Sequence, residues 1–323
     1  MIYLKPFGGL CNRMRTIDSL IKLCQIYKED LTVLWLNDSA LNCSFGSLFQ
    51  TPNPEGLKFE VIDCPFGFPD NFIKKAESSK LNTSSRLVES ILRKSKNTLK
   101  GRFLNNHLEQ IAKIIKGLND NSILLDEELA VVFDLDKYGA ETSAREMDAA
   151  FIPKARPLVD SLFSNAAPDA YISTCFRIYP LEDKYDHFIP VENLSERVNL
   201  TVARFDETIG LHIRRSDHKA SKEVSTTSKF ITIIEDSLKQ NANSTFFLST
   251  DDGETKAQLI QQFGERILFN DVSSYDRNSA AAVKDALVDL YCLSRTKEIY
   301  GSHHSSFSQT AADIGNISEF TAK

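Results

Sequence analysis

Short apolar runs alternate with longer amphipathic stretches along the chain, a pattern that predicts strands followed by helices. The clearest succession begins at Glu207. Four predicted strands, at 207–215, 244–250, 266–271 and 298–302, alternate with four predicted helices, at 228–239, 253–263, 278–295 and 306–314. Such regular alternation is typical of a parallel sheet with helices on both faces.

The amino-terminal part of the chain begins with a β-α-β pattern of its own. The segment MIYLKPF predicts a strand, the glycine pair after it a tight turn, residues 12–27 a helix and residues 31–36 the next strand. From there to about residue 195 the pattern is weaker and indicates one strand and two helices, at 57–64, 84–115 and 155–163. We therefore expect two α/β domains, comprising residues 1–200 and 201–323.

Polar side chains cluster where the predicted strands of the second domain end. The carboxyl ends of parallel strands share one edge of a sheet, and ligands of open α/β sheets bind beyond that edge. The four clusters are His212–Asp217, Thr250–Asp252, Asp271 and Ser302–Ser306. Their expected convergence predicts a site for a polar ligand.

The segment His212-Ile-Arg-Arg-Ser-Asp217 carries the strongest chemical signal. Two adjacent arginines at the end of a buried strand are costly unless an anion meets one of them. A guanidinium stays charged and binds phosphate oxygens through paired hydrogen bonds. Neighbouring side chains of a strand point to opposite faces, so one arginine can face an anionic ligand while the other binds Asp217 or another carboxylate. The alternative is a purely structural, salt-bridged pair.

Two more segments at the strand ends have both a functional and a simpler interpretation. Asp251 and Asp252 can accept hydrogen bonds from a base or a ribose, but Asp252 is also a good N-cap for the helix after it. The hydroxyl-rich turn Gly301–Ser308 opens a predicted helix, and such a helix N-terminus suits a pyrophosphate. Its two histidines are otherwise ordinary polar contacts.

The glycine turn near the amino terminus reads Gly8-Gly-Leu-Cys-Asn-Arg-Met-Arg15. It matches neither a Walker A loop nor the G-x-G-x-x-G fingerprint of dinucleotide-binding domains. Asn12 and Arg13 would lie beyond the end of the first strand, facing an interdomain cleft. The alternative is a solvated first helical turn after a structural glycine pair.

Composition excludes several classes of partner. The 323 residues are 42% hydrophobic and 25% charged, as in ordinary globular proteins. A net charge of −6 gives no overall positive field, so we expect no nucleic-acid partner. The sequence contains no signal-peptide pattern and no apolar run of about 18 residues, so we expect no integral membrane segment.

The spacing of the cysteines and carboxylates indicates the cellular location of the protein and whether it binds a metal ion. The six cysteines stand singly, without Cys-x-x-Cys pairs or a zinc-like His/Cys spacing, which fits reduced thiols in the cytoplasm. The one D-x-D motif, Asp134-Leu-Asp136, lies outside the predicted ligand domain, and we interpret it as surface charge. We expect neither a metal nor a cofactor.

Taken together, the motifs resemble those of one superfamily. GGLCNRMRTIDSL resembles the amino-terminal G-G/R-x-x-N motif of the α1,2-, α1,6- and protein O-fucosyltransferases and the rhizobial nodulation fucosyltransferases. HIRRSD resembles their H-x-R-R-x-D motif, FFLSTDD their second motif, and Asp285 through LVDLYCLSRTKEIYGSHHSSFSQTA their third. The resemblance covers residues 1–20 and 205–315, and the middle of the chain matches no family we can name.

The resemblance implies a GT-B fold, in which two Rossmann-like domains face a cleft. It implies metal-independent, inverting transfer of fucose from GDP-fucose to a glycan or other hydroxyl acceptor. Residues 1–200 would form the acceptor-side domain and residues 201–323 the nucleotide-sugar-binding domain.

The resemblance also implies roles by position. Arg214 and Arg215 would stabilise the charge that builds on the departing β-phosphate, the task of a metal ion in other enzymes. Asp251 and Asp252 would lie by the guanine or ribose, and Ser305 at the phosphate-binding turn. The full set implied to bind the donor is Gly9, Asn12, Arg13, His212, Asp251, Asp252, Ser305, Ser306 and Phe307.

An inverting transfer normally needs a base near the acceptor hydroxyl. The α1,6 enzymes have a glutamate shortly after the H-x-R-R-x-D motif. Here Glu223 follows Asp217 in a segment that does not align cleanly, and it is the candidate base. The alternative is a solvated loop charge paired with Lys222.

Other classes make different demands on the sequence. A nucleotide-sugar dehydratase or epimerase needs a Tyr-x-x-x-Lys pair, and none of the nine tyrosines is followed by lysine at that spacing. A GT-B transferase that uses another nucleotide sugar remains open. So does a catalytically inactive sugar-nucleotide-binding or lectin-like protein.

Overall fold

The computed structural model describes residues 1–64, 114, 123–125, 144–164, 169–180, 184–215, 219–276 and 279–323. The chain divides into two compact units. The first comprises residues 1–137 and 149–182, and the second comprises residues 138–148 and 183–323. Each unit contains a five-stranded sheet whose neighbouring strands are all parallel.

The first unit begins with the expected β-α-β arrangement. Its elements are β1 (Ile2–Pro6), α1 (Leu10–Tyr27), β2 (Leu31–Leu36), a 3₁₀ turn (Phe45–Ser47), β3 (Phe59–Cys64), β4 (Ile123–Leu125), α2 (Ala144–Ser164) and β5 (Ala170–Thr174). The strand order is β3-β2-β1-β5-β4. The predicted helix at 84–115 lies outside the described residues, apart from Ile114.

Apolar patterning explains the centre of the first sheet. Every residue of β2 is buried, as expected for a strand covered on both faces. Trp35 in β2 packs edge-on against Phe45, with ring centroids 5.3 Å apart. Its indole N–H donates a 2.8 Å hydrogen bond to the backbone O of Cys43, so the polar atom of this fully buried ring is satisfied.

Helix α2 is longer than the sequence predicted. The apolar pattern indicated a helix at 155–163, whereas α2 begins at Ala144 and contains Pro153 and Pro157. Proline removes a backbone donor and is normally disfavoured in a helix interior, yet both prolines lie inside this helix. Residues 144–148 of this helix belong to the second unit and the rest to the first.

The second unit contains all four strands and all four helices predicted after Glu207. Its elements are α3 (Glu192–Val202), β6 (Ile209–Ile213), α4 (Lys219–Val224), α5 (Thr227–Gln240), β7 (Phe246–Thr250), α6 (Gly253–Phe263), a 3₁₀ turn (Gly264–Arg266), β8 (Ile267–Leu268), α7 (Ala280–Leu293), β9 (Glu298–Gly301), α8 (Ser306–Gly315) and β10 (Ser318–Thr321). The strand order is β10-β9-β6-β7-β8.

The two faces of β6 pack differently. Ile209, Leu211 and Ile213 point into an apolar core that includes residues of α5, β7 and α6. The opposite face carries Gly210 and His212, because side chains alternate along a strand. A Cβ at Gly210 would lie 2.8 Å from Thr296 Oγ1 and 3.0 Å from Leu293 Cδ2, so glycine lets the end of α7 approach this face.

Residues 183–200 belong to the second compact unit, and the predicted domain division between residues 200 and 201 stays a prediction. Within the described residues, no helix combines the length and apolar character that a membrane crossing requires. None of the six cysteines, all of which are described, forms a disulfide; five are buried and Cys175, just after β5, is partly exposed.

Candidate functional site

The carboxyl ends of β6 and β9 adjoin where the strand order of the second sheet reverses. The backbone O of His212 accepts hydrogen bonds from the backbone N–H of Ser302, at 3.0 Å, and from its Oγ, at 3.2 Å. Ser302 Oγ also accepts a 2.9 Å bond from the backbone N–H of Arg214. Ser302 therefore joins two of the predicted polar clusters at a topological switch point, the usual ligand position in such sheets.

The turn between β9 and α8 holds the His212 ring from two sides. Ser305 Oγ lies 3.2 Å from His212 Nδ1, and the Phe307 ring stacks on the imidazole with centroids 4.8 Å apart. Ser305 also N-caps α8 by accepting a 3.3 Å bond from the backbone N–H of Phe307. Ser306, the first residue of α8, follows directly. The structure thus brings together four of the predicted site residues.

His304 makes this turn unusual. It has φ = 53°, in the left-handed region that residues other than glycine rarely adopt. The preceding residue, His303, donates its backbone N–H to Ser225 Oγ at 2.9 Å, which fixes the turn to the segment between α4 and α5. Strained backbone held in place by its surroundings recurs at functional sites.

The second arginine after β6, Arg215, is held by hydrogen bonds to the protein. The Arg215 guanidinium donates to the backbone O of Arg214, at 2.9 Å, to the backbone O of Ser225, at 2.8 Å, and to Thr227 Oγ1, at 3.2 and 3.3 Å. Burial lowers its pKa, although the carboxylates of Asp251 and Asp252 act in the opposite sense. Arg215 is therefore engaged with protein acceptors, and a phosphate contact by either arginine stays a prediction.

Asp251 and Asp252 have separate structural roles at the end of β7. Asp251 Oδ1 accepts a 2.6 Å bond from the backbone N–H of Arg215, which links the β6 and β7 ends. Asp252 N-caps α6, since its Oδ2 accepts from the backbone N–H of Thr255, at 2.8 Å, and from its Oγ1, at 2.6 Å. The capping interpretation of Asp252 is confirmed, and a contact with a base would need its other oxygen, Oδ1.

Glu223 lies in the short helix α4, where its side chain is exposed, and not in a loop as the alternative reading supposed. Asp217, the expected carboxylate partner of an arginine, lies outside the described residues. So does the Asp134-Leu-Asp136 motif. The part of the chain that the structure describes contains no group of three or more His, Cys, Asp or Glu side chains that could hold a metal ion.

The predicted residues of the first unit lie around the start of α1. Gly8 has φ = 80°, which requires glycine, and Gly9 is the N-cap residue of α1 with extended backbone. Asn12 is partly exposed in the first turn. A Cβ at Gly8 would lie 3.0 Å from Asn12 Nδ2, so the glycine also makes room for this side chain.

Arg13 is fully buried within the first unit. Its guanidinium donates to the backbone O of Gly8, at 2.9 Å, to the backbone O of Leu36, at 2.5 Å, and to Asp38 Oδ2, at 2.8 Å. It also lies 5.0 Å from the Trp35 ring. These contacts favour a structural, anchoring role for Arg13. Direct binding of the sugar-nucleotide donor by Arg13 stays a prediction.

The sequence reasoning missed a buried polar network behind the ends of β7 and β8. Asn270 Nδ2 donates a 2.8 Å bond to Asp289 Oδ1, and Asn270 Oδ1 accepts a 2.6 Å bond from Thr201 Oγ1. The Lys256 ammonium donates to the backbone O of Asn270 at 3.1 Å. An aspartate flanked by Val288 and Leu290 in an almost wholly apolar helix was the signal that could have revealed it.

Two aspartates one helical turn apart in α7 have opposite pKa shifts. Burial raises the pKa of Asp289 to about 6, despite hydrogen bonds from Asn270 and Ser249. Burial alone would also raise the pKa of Asp285, but the Ser273 backbone N–H, at 2.7 Å, and the Arg197 guanidinium, at 2.6 Å, hold it below its ordinary value.

These shifts predict opposite pH dependences of stability. Asp289 binds a proton more tightly in the folded protein than in the unfolded chain, so its stabilising contribution is complete below about pH 4 and lost as pH rises through 6. Relative to Asp289→Asn, the wild type should lose about 2 kcal/mol of unfolding free energy between pH 4 and pH 7. Urea unfolding followed by circular dichroism across this range measures the difference.

Asp285→Asn is the matched control, because the lowered pKa of Asp285 gives a contribution present at neutral pH and lost on acidification. The difference in unfolding free energy between wild type and variant should change with pH in opposite directions for the two substitutions. A change in the same direction would contradict the assignment.

Comparison with solved structures identifies the fold. No protein-family model matches the sequence, and no curated protein matches it. A crystal structure of the fucosyltransferase NodZ from Bradyrhizobium is 13% identical, with a TM-score of 0.56, covering 96% of this chain and 91% of that one. A structure of NodZ α1,6-fucosyltransferase soaked with GDP-fucose is 13% identical, with a TM-score of 0.53, covering 97% and 92%.

A structure of an Arabidopsis thaliana FUT1 variant in complex with GDP is 14% identical, with a TM-score of 0.52, covering 99% of this chain and 69% of that one. Identities this low establish similarity of fold. The alignments cover 96–99% of this chain. The chain therefore has the α/β, GT-B-type fold of these fucosyltransferases, which confirms the fold class expected from its sequence.

Proposed function

We propose that this chain is an inverting glycosyltransferase that transfers fucose from GDP-fucose to a hydroxyl of a glycan or glycoconjugate. One observation carries the proposal. His212, Arg214, Ser302 and Ser305 converge where β6 and β9 end, with the amino terminus of α8 beside them. This arrangement places an arginine, hydroxyls and helix N–H groups at the position where open α/β sheets bind ligands.

The fold supports the choice of donor. The structural relatives are fucosyltransferases, one soaked with GDP-fucose and another in complex with GDP. Two of the four motifs that resemble theirs, HIRRSD and the segment that ends in GSHHSSFSQTA, meet at the β6–β9 edge. A pyrophosphate beside Arg214 and the Ser305–Phe307 turn would be neutralised without a metal ion.

The chemistry follows from that position. The acceptor oxygen forms a bond to the anomeric carbon on the face opposite the departing GDP. The bond from that carbon to the β-phosphate oxygen breaks, and GDP keeps the electron pair. Arg214 stabilises the negative charge as it builds on the phosphate. Arg215 holds the β6 end in place through Ser225 and Thr227.

The acceptor proton needs a base, and Glu223 is our candidate because its carboxylate is exposed on α4, between the HIRRSD segment and α5. Asp251 and Asp252 are the proposed contacts to the ribose and base. Asn12, in the first turn of α1, is the proposed donor contact from the first unit, together with the backbone at Gly9. Six cysteines without a disulfide support a cytoplasmic location.

Nucleotide binding to the full chain tests the donor assignment. GDP should bind at least about tenfold more tightly than UDP, because a site built for one base leaves its polar groups unpaired with another. Asp252→Asn should weaken GDP binding by about tenfold or more, since it removes a charged acceptor. Asparagine caps helices as well as aspartate, so the melting temperature should not change.

The matched control is Asp236→Ala, an exposed carboxylate on α5 paired with Lys239. It should leave nucleotide affinity unchanged. Equal affinity for GDP and UDP, unaffected by Asp252→Asn, would reject the guanine-specific site and favour a GT-B transferase with another nucleotide sugar.

Turnover separates an enzyme from a binding protein. The chain should release GDP from GDP-fucose in the presence of glycan acceptors, and the rate should be the same in EDTA. Tight GDP-fucose binding without GDP release, with any glycan acceptor tried, would instead support a catalytically inactive sugar-nucleotide-binding protein.

A further inference from the structure

The loop after β8 places an aromatic ring at the edge of the sheet where the predicted polar clusters lie. Of the five large hydrophobic side chains exposed in the described part of the chain, Tyr275 is the one in this loop, with 42% of its surface accessible. The loop follows β8, and parallel strands end at the same edge, so the ring lies on the side of β6 and β7 that carries Arg214 and Asp252.

The position of the ring is fixed by its contacts. A Cβ at Gly253, the first residue of α6, would lie 3.5 Å from Cε2 and 3.9 Å from the hydroxyl O of Tyr275, so this edge of the ring lies against backbone that carries no side chain. Burial against this surface raises the pKa of the phenol, and the carboxylates of Asp252 and Asp289 add to the effect.

The loop itself is held by hydrogen bonds. Ser273 donates its backbone N–H to Asp285 Oδ2 at 2.7 Å, and Asp285 pairs with Arg197 at 2.6 Å. Asp276 donates its backbone N–H to Ser274 Oγ at 3.0 Å. The ring is thus held in position while much of its surface remains open to solvent, as a stacking partner requires.

Sheet geometry sets the distance between this ring and the proposed phosphate position. From β6 to β8 the sheet spans two strand spacings, or roughly 10 Å. That separation leaves room for a ribose between a pyrophosphate at Arg214 and a planar base at the β8 loop. Aromatic side chains bind bases by stacking on their faces.

We propose that Tyr275 is a base-stacking residue of the donor site, where its ring packs against the base of the nucleotide. The inference rests on the proposed function, since it names the residue that holds the base of the proposed nucleotide sugar. Tyr275 contributes to affinity for the nucleoside part and not for the pyrophosphate.

Calorimetry on the full chain with GDP and with inorganic pyrophosphate tests this. Tyr275→Ala should weaken GDP binding by about tenfold and leave pyrophosphate binding unchanged, and Tyr275→Phe should bind GDP like the wild type. The matched control is Phe320→Ala, which removes a similarly exposed aromatic ring, 45% accessible, from the edge strand β10. It should bind both ligands normally.

The possible outcomes distinguish stacking by Tyr275 from the proposed function as a whole. If the wild type binds GDP and Tyr275→Ala binds it equally well, stacking is wrong and the proposed function stands. Equal weakening of pyrophosphate, or a Tyr275→Phe variant as weak as Tyr275→Ala, also overturns stacking. A wild type that does not bind GDP rejects the proposed function and this inference with it.

Discussion

Arg214→Ala is expected to reduce fucosyl transfer by roughly a hundredfold or more while the protein remains folded. A charge-assisted contact to the phosphate strengthens as the leaving group gains charge, so its loss acts mainly on the rate of the chemical step. Arg214→Lys should recover part of the rate, because lysine keeps the charge but cannot form the paired hydrogen bonds of a guanidinium. Turnover under saturating GDP-fucose and the melting temperature are the two measurements.

Arg215→Ala should also lose activity but for a different reason. Its guanidinium bonds two backbone oxygens and Thr227 Oγ1, so the variant should melt at a lower temperature as well. Arg204→Ala, which removes an exposed arginine just after α3, is the control and should be normal in both respects. Near-normal turnover of Arg214→Ala would exclude Arg214 as the residue that stabilises the leaving group.

Arg13→Ala should lower the unfolding free energy of the first unit by about 3 kcal/mol or more. The substitution removes the ion-pair partner of Asp38 and a donor to the backbone O of Leu36, and the loss of charged hydrogen bonds from a fully buried guanidinium is costly. Trp35 is the single tryptophan of the chain and lies in the same unit. Urea unfolding followed by its fluorescence therefore reports on this unit.

Lys22→Ala, on the exposed face of the same helix, should leave the midpoint nearly unchanged. If Arg13→Ala unfolds at as high a urea concentration as Lys22→Ala, the anchoring role is refuted. GDP affinity under conditions in which Arg13→Ala is folded decides the second question. An unchanged affinity supports the anchor, and a large loss supports the donor contact predicted from the sequence.

The parts of the fold that could be predicted are those whose burial has a regular period. β6, β7 and β9 are buried runs between amphipathic helices, and the sequence predicted them in the right order. β10 was missed because it is an edge strand whose residues, Ser318–Thr321, alternate between exposed and partly buried and carry no apolar run. β5 is short, with Ser173 and Thr174 among its five buried residues, and hydropathy alone cannot distinguish it from a loop.

The site shows a similar division. The convergence of His212, Ser302 and Ser305 follows from strand order, so polar residues at strand ends could be predicted to meet. Which of two adjacent arginines is held by the protein depends on where Ser225 and Thr227 lie, and that is set by the path of the chain after β6. Tyr275 and Asp289 were missed because the first lies in a loop without periodicity and the second in an apolar helix.

The uneven burial of the cysteines makes one position chemically addressable. A thiol reacts as its thiolate, and burial raises the pKa of Cys24, Cys64 and Cys292, which suppresses that form. Cys175 is more accessible, and its backbone O accepts a 2.8 Å bond from Arg15 Nε, beside the start of α1. A maleimide fluorophore would therefore attach preferentially at the carboxyl end of β5. The unaltered sequence thus carries its own labelling site at Cys175, whose hydrogen-bond partner Arg15 lies on α1 three residues after Asn12.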